Sequence, residues 1–156
     1  MNKYLWLIIV GIVIIGGGIA YTAFIRSEES APVTTGNVRE ITITARKLHW
    51  TFDPEEITVE RGDKIILTVV NEDDFDHGFS IDAFGISQRV PANQTIKAEF
   101  VATQVGDFPY YCSVPCGDSS ILPGGVVEGG AYAGEKRGHF DQIGKMHVRS
   151  IISETQ

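Results

Sequence analysis

Apolar and polar residues alternate in short runs along most of the chain. Ile41 and Ile43 alternate with Thr42 and Thr44, Ile57 and Val59 with Thr58 and Glu60, and the pattern returns over residues 95–101. A period of two puts successive side chains on opposite faces, which predicts half-buried strands. Residues 64–70 form a β-branched run that stops at Asn71, and Met146 and Val148 begin a last alternation. Each run is bounded by turn formers, as at Asp53-Pro54, Arg61-Gly62-Asp63, Pro91-Ala92-Asn93 and Val105-Gly106-Asp107. No stretch after residue 37 sustains a 3.6-residue period. Short strands with regular turn signals predict an all-β sandwich of about seven strands.

The N-terminus is patterned differently. From Leu5 to Ile25 there are 21 consecutive uncharged residues rich in Ile, Val and Gly, and a helix of that length reaches roughly 31 Å. A single membrane crossing by residues 1–26 is expected. A cleaved secretory signal is the alternative, with an apolar region longer than the roughly 7–15 residues usual for signals. Residues 27–37, small and polar, suit a flexible tether, and residues 38–156 form the domain. Lys3 precedes the apolar run and Glu28 and Glu29 follow Arg26, which predicts a single-pass cell-membrane protein with its C-terminal domain on the extracytoplasmic side.

Charge narrows the partners. Apart from Lys3 and Arg26, 11 of the 13 basic residues stand against 20 acidic ones, a balance of −9. Nucleic acid is excluded as a natural partner, and a basic protein fits.

Candidate chemistry lies in the final third. Cys112 and Cys116 stand four residues apart, and His139 returns before the last strand. Two thiolates and an imidazole in one loop region suit copper or zinc. His77, in a loop after the strand ending at Asn71, can meet them, because strand-end loops of a sandwich cluster at one pole. A Cys112–Cys116 disulfide is the plain alternative in an oxidising compartment. Between the second cysteine and His139 lie residues 117–138, 22 residues with seven glycines, expected as a long functional loop that covers the site. His49 and His147 are expected at the surface, and Met146 in the core. No nucleophile with a base beside it or phosphate loop is present, so no catalytic site is expected.

The run YCSVPCG, followed by GHFDQIGKMHV and preceded by DHGFSIDAFGI, resembles the cupredoxin domain of cytochrome c oxidase subunit II and its relatives that carry the dinuclear CuA electron-transfer centre. The resemblance covers roughly residues 39–151, and the single N-terminal anchor is similar to the one-helix subunit II of certain b-type oxidases. It implies a Greek-key β-sandwich in which Cys112 and Cys116 bridge two copper ions, His77 and His139 are the imidazole ligands and the carbonyl of Val114 is a backbone ligand. Gln142 stands where the family has an axial methionine, and Met146 competes for that role. The family also has three residues, not 22, between the second cysteine and the histidine. The stretch Gly78–Gly85 additionally resembles nitrosocyanin, a red protein with one copper.

What the resemblance implies for function is an electron-transfer subunit that takes electrons from a soluble donor such as cytochrome c and passes them to a large membrane oxidase subunit. A mononuclear copper cupredoxin, or a copper storage, sensing or delivery protein detached from any oxidase, is the alternative. The inserted loop and Gln142 favour the second.

Overall fold

The computed structural model describes residues 3–25 and 36–150; most of the expected tether lies outside them. Two compact units result, divided after Ala31. In the first, α1 spans Lys3–Ile25. Among the described residues no helix is long and apolar enough to cross a membrane, although the sequence of α1 is uncharged from Leu5 onward.

The second unit is a two-sheet sandwich. Its strands are β1 (Val38–Ala45), β2 (Phe52–Asp53), β3 (Glu56–Glu60), β4 (Lys64–Asn71), β5 (His77–Ile81), β6 (Ile86–Val90), β7 (Thr95–Val101), β8 (Gly106–Tyr111) and β9 (Ile143–Arg149). One sheet has the order β2-β1-β4-β7, the other β3-β9-β8-β5-β6. Among the described residues there are nine strands, against about seven expected. β2 has only two residues, and β6, although as long as β3, has three consecutive exposed polar residues, Ser87, Gln88 and Arg89, at its centre, so neither shows an alternation.

Parallel pairing occurs once in each sheet, β1 with β4 and β3 with β9, and the remaining pairs are antiparallel. Alternation becomes burial as the period of two requires: in β4, Ile65, Leu67 and Val69 are fully buried. They meet Ile57, Val59, Phe79, Tyr110, Met146 and Val148 of the facing sheet in one cluster. Phe52 lies edge-on to Phe79 at 5.5 Å between ring centres, an arrangement worth about 0.5–1.5 kcal/mol beyond the area buried. Met146 is a core residue, as expected. His147 points away from the core, but it is not merely solvated: Asp107 lies 2.6 Å from its Nδ1 and Glu56 lies 3.7 Å from its Nε2.

The residues of chemical interest fall where strands end or begin at one pole. β4 leads into Asp73 and His77, β8 into Cys112, and β9 starts after Gln142. Asn71 shapes the first of these turns. Its buried amide Nδ2 donates to the carbonyls of Phe75, Val90 and Pro91, and its Oδ1 accepts from the Asp73 N–H at 2.9 Å.

Candidate metal centre

All six residues singled out from the sequence converge. The Cys112 and Cys116 sulfurs are 3.5 Å apart, and both cysteines are free and buried, so no disulfide joins them. His77 Nδ1 lies 3.7 Å from Cys112 Sγ, and His139 Nδ1 lies 3.6 Å from Cys116 Sγ. The Val114 carbonyl is 3.1 Å from Cys112 Sγ, and Gln142 Oε1 is 3.4 Å from Cys116 Sγ. Each sulfur thus has one imidazole nitrogen and one oxygen of its own. Met146 and His49 contribute nothing to this cluster: the first is in the core and the second hydrogen bonds to the Lys47 carbonyl.

Local packing explains the close approach of the cysteine loop. A Cβ on Gly78 would lie 2.7 Å from the backbone nitrogens of Ser113 and Val114 and would collide with Ser113 Oγ. With no side chain there, the Gly78 N–H donates to Cys112 Sγ at 3.3 Å. On the other side the Cys112 N–H donates to the Gln142 carbonyl, and the Trp50 indole N–H to the Cys116 carbonyl at 3.2 Å. Trp50 is fully buried with φ +47°, and Leu48 has φ +59°. Bulky residues occupy the left-handed region only where the surroundings over-determine it.

Asp73 is the partner that sequence reasoning passed over. Fully buried, it accepts from the Leu48 N–H through Oδ1 at 2.7 Å and holds His77 Nε2–H through Oδ2 at 2.7 Å. That bond fixes the tautomer and turns Nδ1 toward the sulfur, as the outer partners of metal-bound histidines commonly do. The four-residue spacing was visible, but a run of three aspartates around one phenylalanine does not say which carboxylate turns inward.

Burial opposes protonation of His77, but the hydrogen bonds to Asp73 and Cys112 outweigh it and its pKa is pushed up to about 9. The bond from Cys116 holds the Cys112 thiol well below the ordinary thiol range despite burial, with help from His77 and the Gly78 N–H. The same contact with Cys112, together with burial, pushes Cys116 up.

The donor set fits copper. Atoms about 2.0 and 2.3 Å from one metal at a tetrahedral angle lie roughly 3.5 Å apart, close to each sulfur–imidazole separation here. The Gln142 side chain is fully buried, with its oxygen toward sulfur and Nε2 unpartnered, an arrangement that costs about 1–3 kcal/mol unless the site itself compensates.

The expected cover over the site is better packed than its glycines suggest. His139 N–H donates to the Gly117 carbonyl at 2.9 Å and Ser119 N–H to the Arg137 carbonyl at 2.7 Å, so the inserted segment is pinched at its root. Beyond the root, Val127 is buried in the core, and Tyr132 OH reaches Glu55 at 2.5 and 2.6 Å.

Known proteins agree with the fold. The profile of the cupredoxin-like domain family matches residues 17–121, and the chain belongs to that family. Nitrous-oxide reductase of Stutzerimonas stutzeri is 38% identical over 68 residues, covering 42% of this chain and 11% of the relative. The chain spans only about a tenth of the length of the curated relatives it matches. Among solved structures, the periplasmic domain of cytochrome oxidase subunit II from Bradyrhizobium japonicum aligns with TM-score 0.51 at 18% identity, covering 72% of this chain and 84% of that one. The metal-binding domain of the Cu(I)-exporting ATPase of Streptococcus pneumoniae aligns with TM-score 0.51 at 14% identity, over 73% and 88%. These likenesses establish the fold. Together with the His77, Cys112 and Cys116 cluster, the family defines a copper-binding domain of electron-transfer type.

Proposed function

We propose that the domain holds a dinuclear, CuA-type copper centre and serves as a one-electron relay. The carrying observation is that the donors form two sets. Among the described residues, the ligand atoms of His77, Cys112 and Cys116 all lie within 4.8 Å of one another; His139 stands outside that group while touching Cys116. Two ligands held about 2.0–2.3 Å from one ion lie roughly 3.8 Å apart or less at a tetrahedral angle and no more than about 4.6 Å apart even on opposite sides of it, so a single copper or zinc would leave His139 unused without movement of the chain. Two ions would be held by both thiolates together with His77 on one side and His139 on the other, and the Val114 carbonyl and Gln142 Oε1 would offer weaker oxygen donors.

Copper bound there would exchange single electrons. The protein's part is to keep the donors fixed and dry: Asp73 holds His77, Trp50 and Gly78 hold the cysteine loop, and the sulfurs are buried. A mononuclear site on His77, Cys112 and Cys116 is the second reading, favoured by the compactness of those three atoms. Copper quantification with electron paramagnetic resonance separates them. Two coppers per chain and a seven-line hyperfine pattern support the dinuclear centre; one copper with four lines refutes it.

We also propose that α1 anchors the domain in the cell membrane, with the acidic domain outside the cytoplasm and a basic soluble donor such as cytochrome c as its electron source. A large oxidase subunit is the acceptor in this reading. The 21-residue uncharged span from Leu5 to Ile25, rich in Ile, Val and Gly, supports the anchor. Membrane fractionation of the full chain, against one starting at Ser27, tests it.

A further inference from the structure

We propose that Arg137, contributed by the inserted segment, is a positioning residue that sets His139 and Gln142; this rests on the copper reading above. The guanidinium Nη2 donates to the carbonyl of Asp141 at 2.8 Å and to that of Trp50 at 3.2 Å. The first carbonyl belongs to the residue directly before Gln142 and two after His139. The second belongs to the residue whose indole holds the Cys116 carbonyl. One side chain therefore ties the histidine turn to the support of the cysteine loop.

The guanidinium is itself placed by the rest of the insertion. It lies 3.7 Å over the ring of Tyr132, and Glu55 fixes the Tyr132 hydroxyl while also accepting from Thr51 Oγ1. The backbone of Arg137 is locked to Ser119 in both directions, by Ser119 N–H to its carbonyl and by its own N–H to Ser119 Oγ at 3.2 Å. Arg137 Nε is buried with no partner. A cation held half-buried with an unsatisfied N–H persists where its remaining bonds fix something else. A planar fork that stacks and donates at once is also a task lysine cannot perform.

The insertion thus supplies from a distance the rigidity that a short connection between Cys116 and His139 would supply covalently. Its outer part carries Tyr132, and its root carries Arg137.

The test uses the full chain in detergent with the variants Arg137→Gln, Tyr132→Leu and, as control, Lys136→Gln. In the metal-free protein, amide hydrogen exchange at His139 should quicken on the order of tenfold in the first two, with β4 amides unchanged and the control like wild type. In the copper-loaded protein, the same two variants should keep their copper content but shift the reduction potential and the hyperfine pattern. Unchanged His139 exchange with an unchanged spectrum in both variants would overturn the proposal. So would equal loss of protection in β4, which would make Arg137 a residue of general stability. Should Arg137→Gln fail to fold, Tyr132→Leu decides, since it removes the ring that places the guanidinium while keeping Arg137 in the chain. Failure of the wild-type chain to take up copper would refute the copper reading, while the metal-free exchange would still decide the clamp.

Discussion

Replacing Gly78 by alanine probes the closest packing around the site. The new Cβ would sit 2.7 Å from the nitrogens of Ser113 and Val114. Ser113 Oγ can rotate out of its way, but the two backbone atoms cannot. Restoring an ordinary contact requires the 113–114 segment to retreat by roughly 0.7 Å, carrying the Val114 carbonyl away from Cys112 Sγ and lengthening the Gly78 N–H bond to the same sulfur. Overpacking of this kind costs about 1–3 kcal/mol, which for a domain of this size lowers the melting temperature by roughly 4–12 °C. Thermal melts of the metal-free domain, followed by copper titration, measure both effects. Ser113→Gly added to Gly78→Ala should recover only a small part of the loss, because it relieves the hydroxyl contact and leaves the backbone ones. A Gly78→Ala protein that melts within 1 °C of wild type and loads copper with an unaltered spectrum would refute this account of why the position is glycine.

Cys112→Ser or Cys116→Ser should abolish the mixed-valence absorption band, whereas Gln142→Met should retain it and shift the reduction potential; equal loss of colour in all three would remove Gln142 from the role of weak axial donor. Copper uptake at neutral pH should release protons, because His77, with a pKa pushed up to about 9, and Cys116 both carry one in the metal-free site. Apparent affinity should therefore rise with pH and flatten for the histidine above about 9, as calorimetry in buffers of differing ionisation enthalpy will register; no release at pH 7 would contradict it. Val127→Ala should destabilise the domain by about 1.5–2.5 kcal/mol in urea unfolding, and a cost near zero would mean that the inserted segment is only a loose cover.

Much of the site was legible because its chemistry lies in residue types. Two cysteines, two histidines and their flanking strands stand out in one dimension, and strand ends at one pole bring them together whatever the exact topology. The strands with long alternations, β1, β3, β4 and β7, were equally plain. What escaped was whatever depends on direction. Asp73 is one of three neighbouring aspartates, and only the turn built by Asn71 shows that it faces His77. His147 was placed on the correct face, but its carboxylate neighbours come from β3 and β8. Nothing in the sequence marks Gly78 as the residue against which the cysteine loop packs. The glycine-rich insertion read as poor core material because Val127, Tyr132 and Arg137 are spread among residues that do not pack, and their partners Glu55 and Trp50 lie some 80 positions earlier.

The parallel pairing of β1 with β4 has a mechanical meaning. The two strands are in register over eight residues, from Val38 opposite Lys64 to Ala45 opposite Asn71, and the chain enters at Val38, the end remote from the metal pole. If a partner grips that pole while the N-terminal segment is held elsewhere, the pull runs along the strands. All the rungs between β1 and β4 then bear the load together in shear, and none can be peeled open singly. A domain strung between two attachments in this way should resist stretching far better at its N-terminus than along any hairpin, a difference that single-molecule pulling from Val38 against pulling across β5 and β6 would expose.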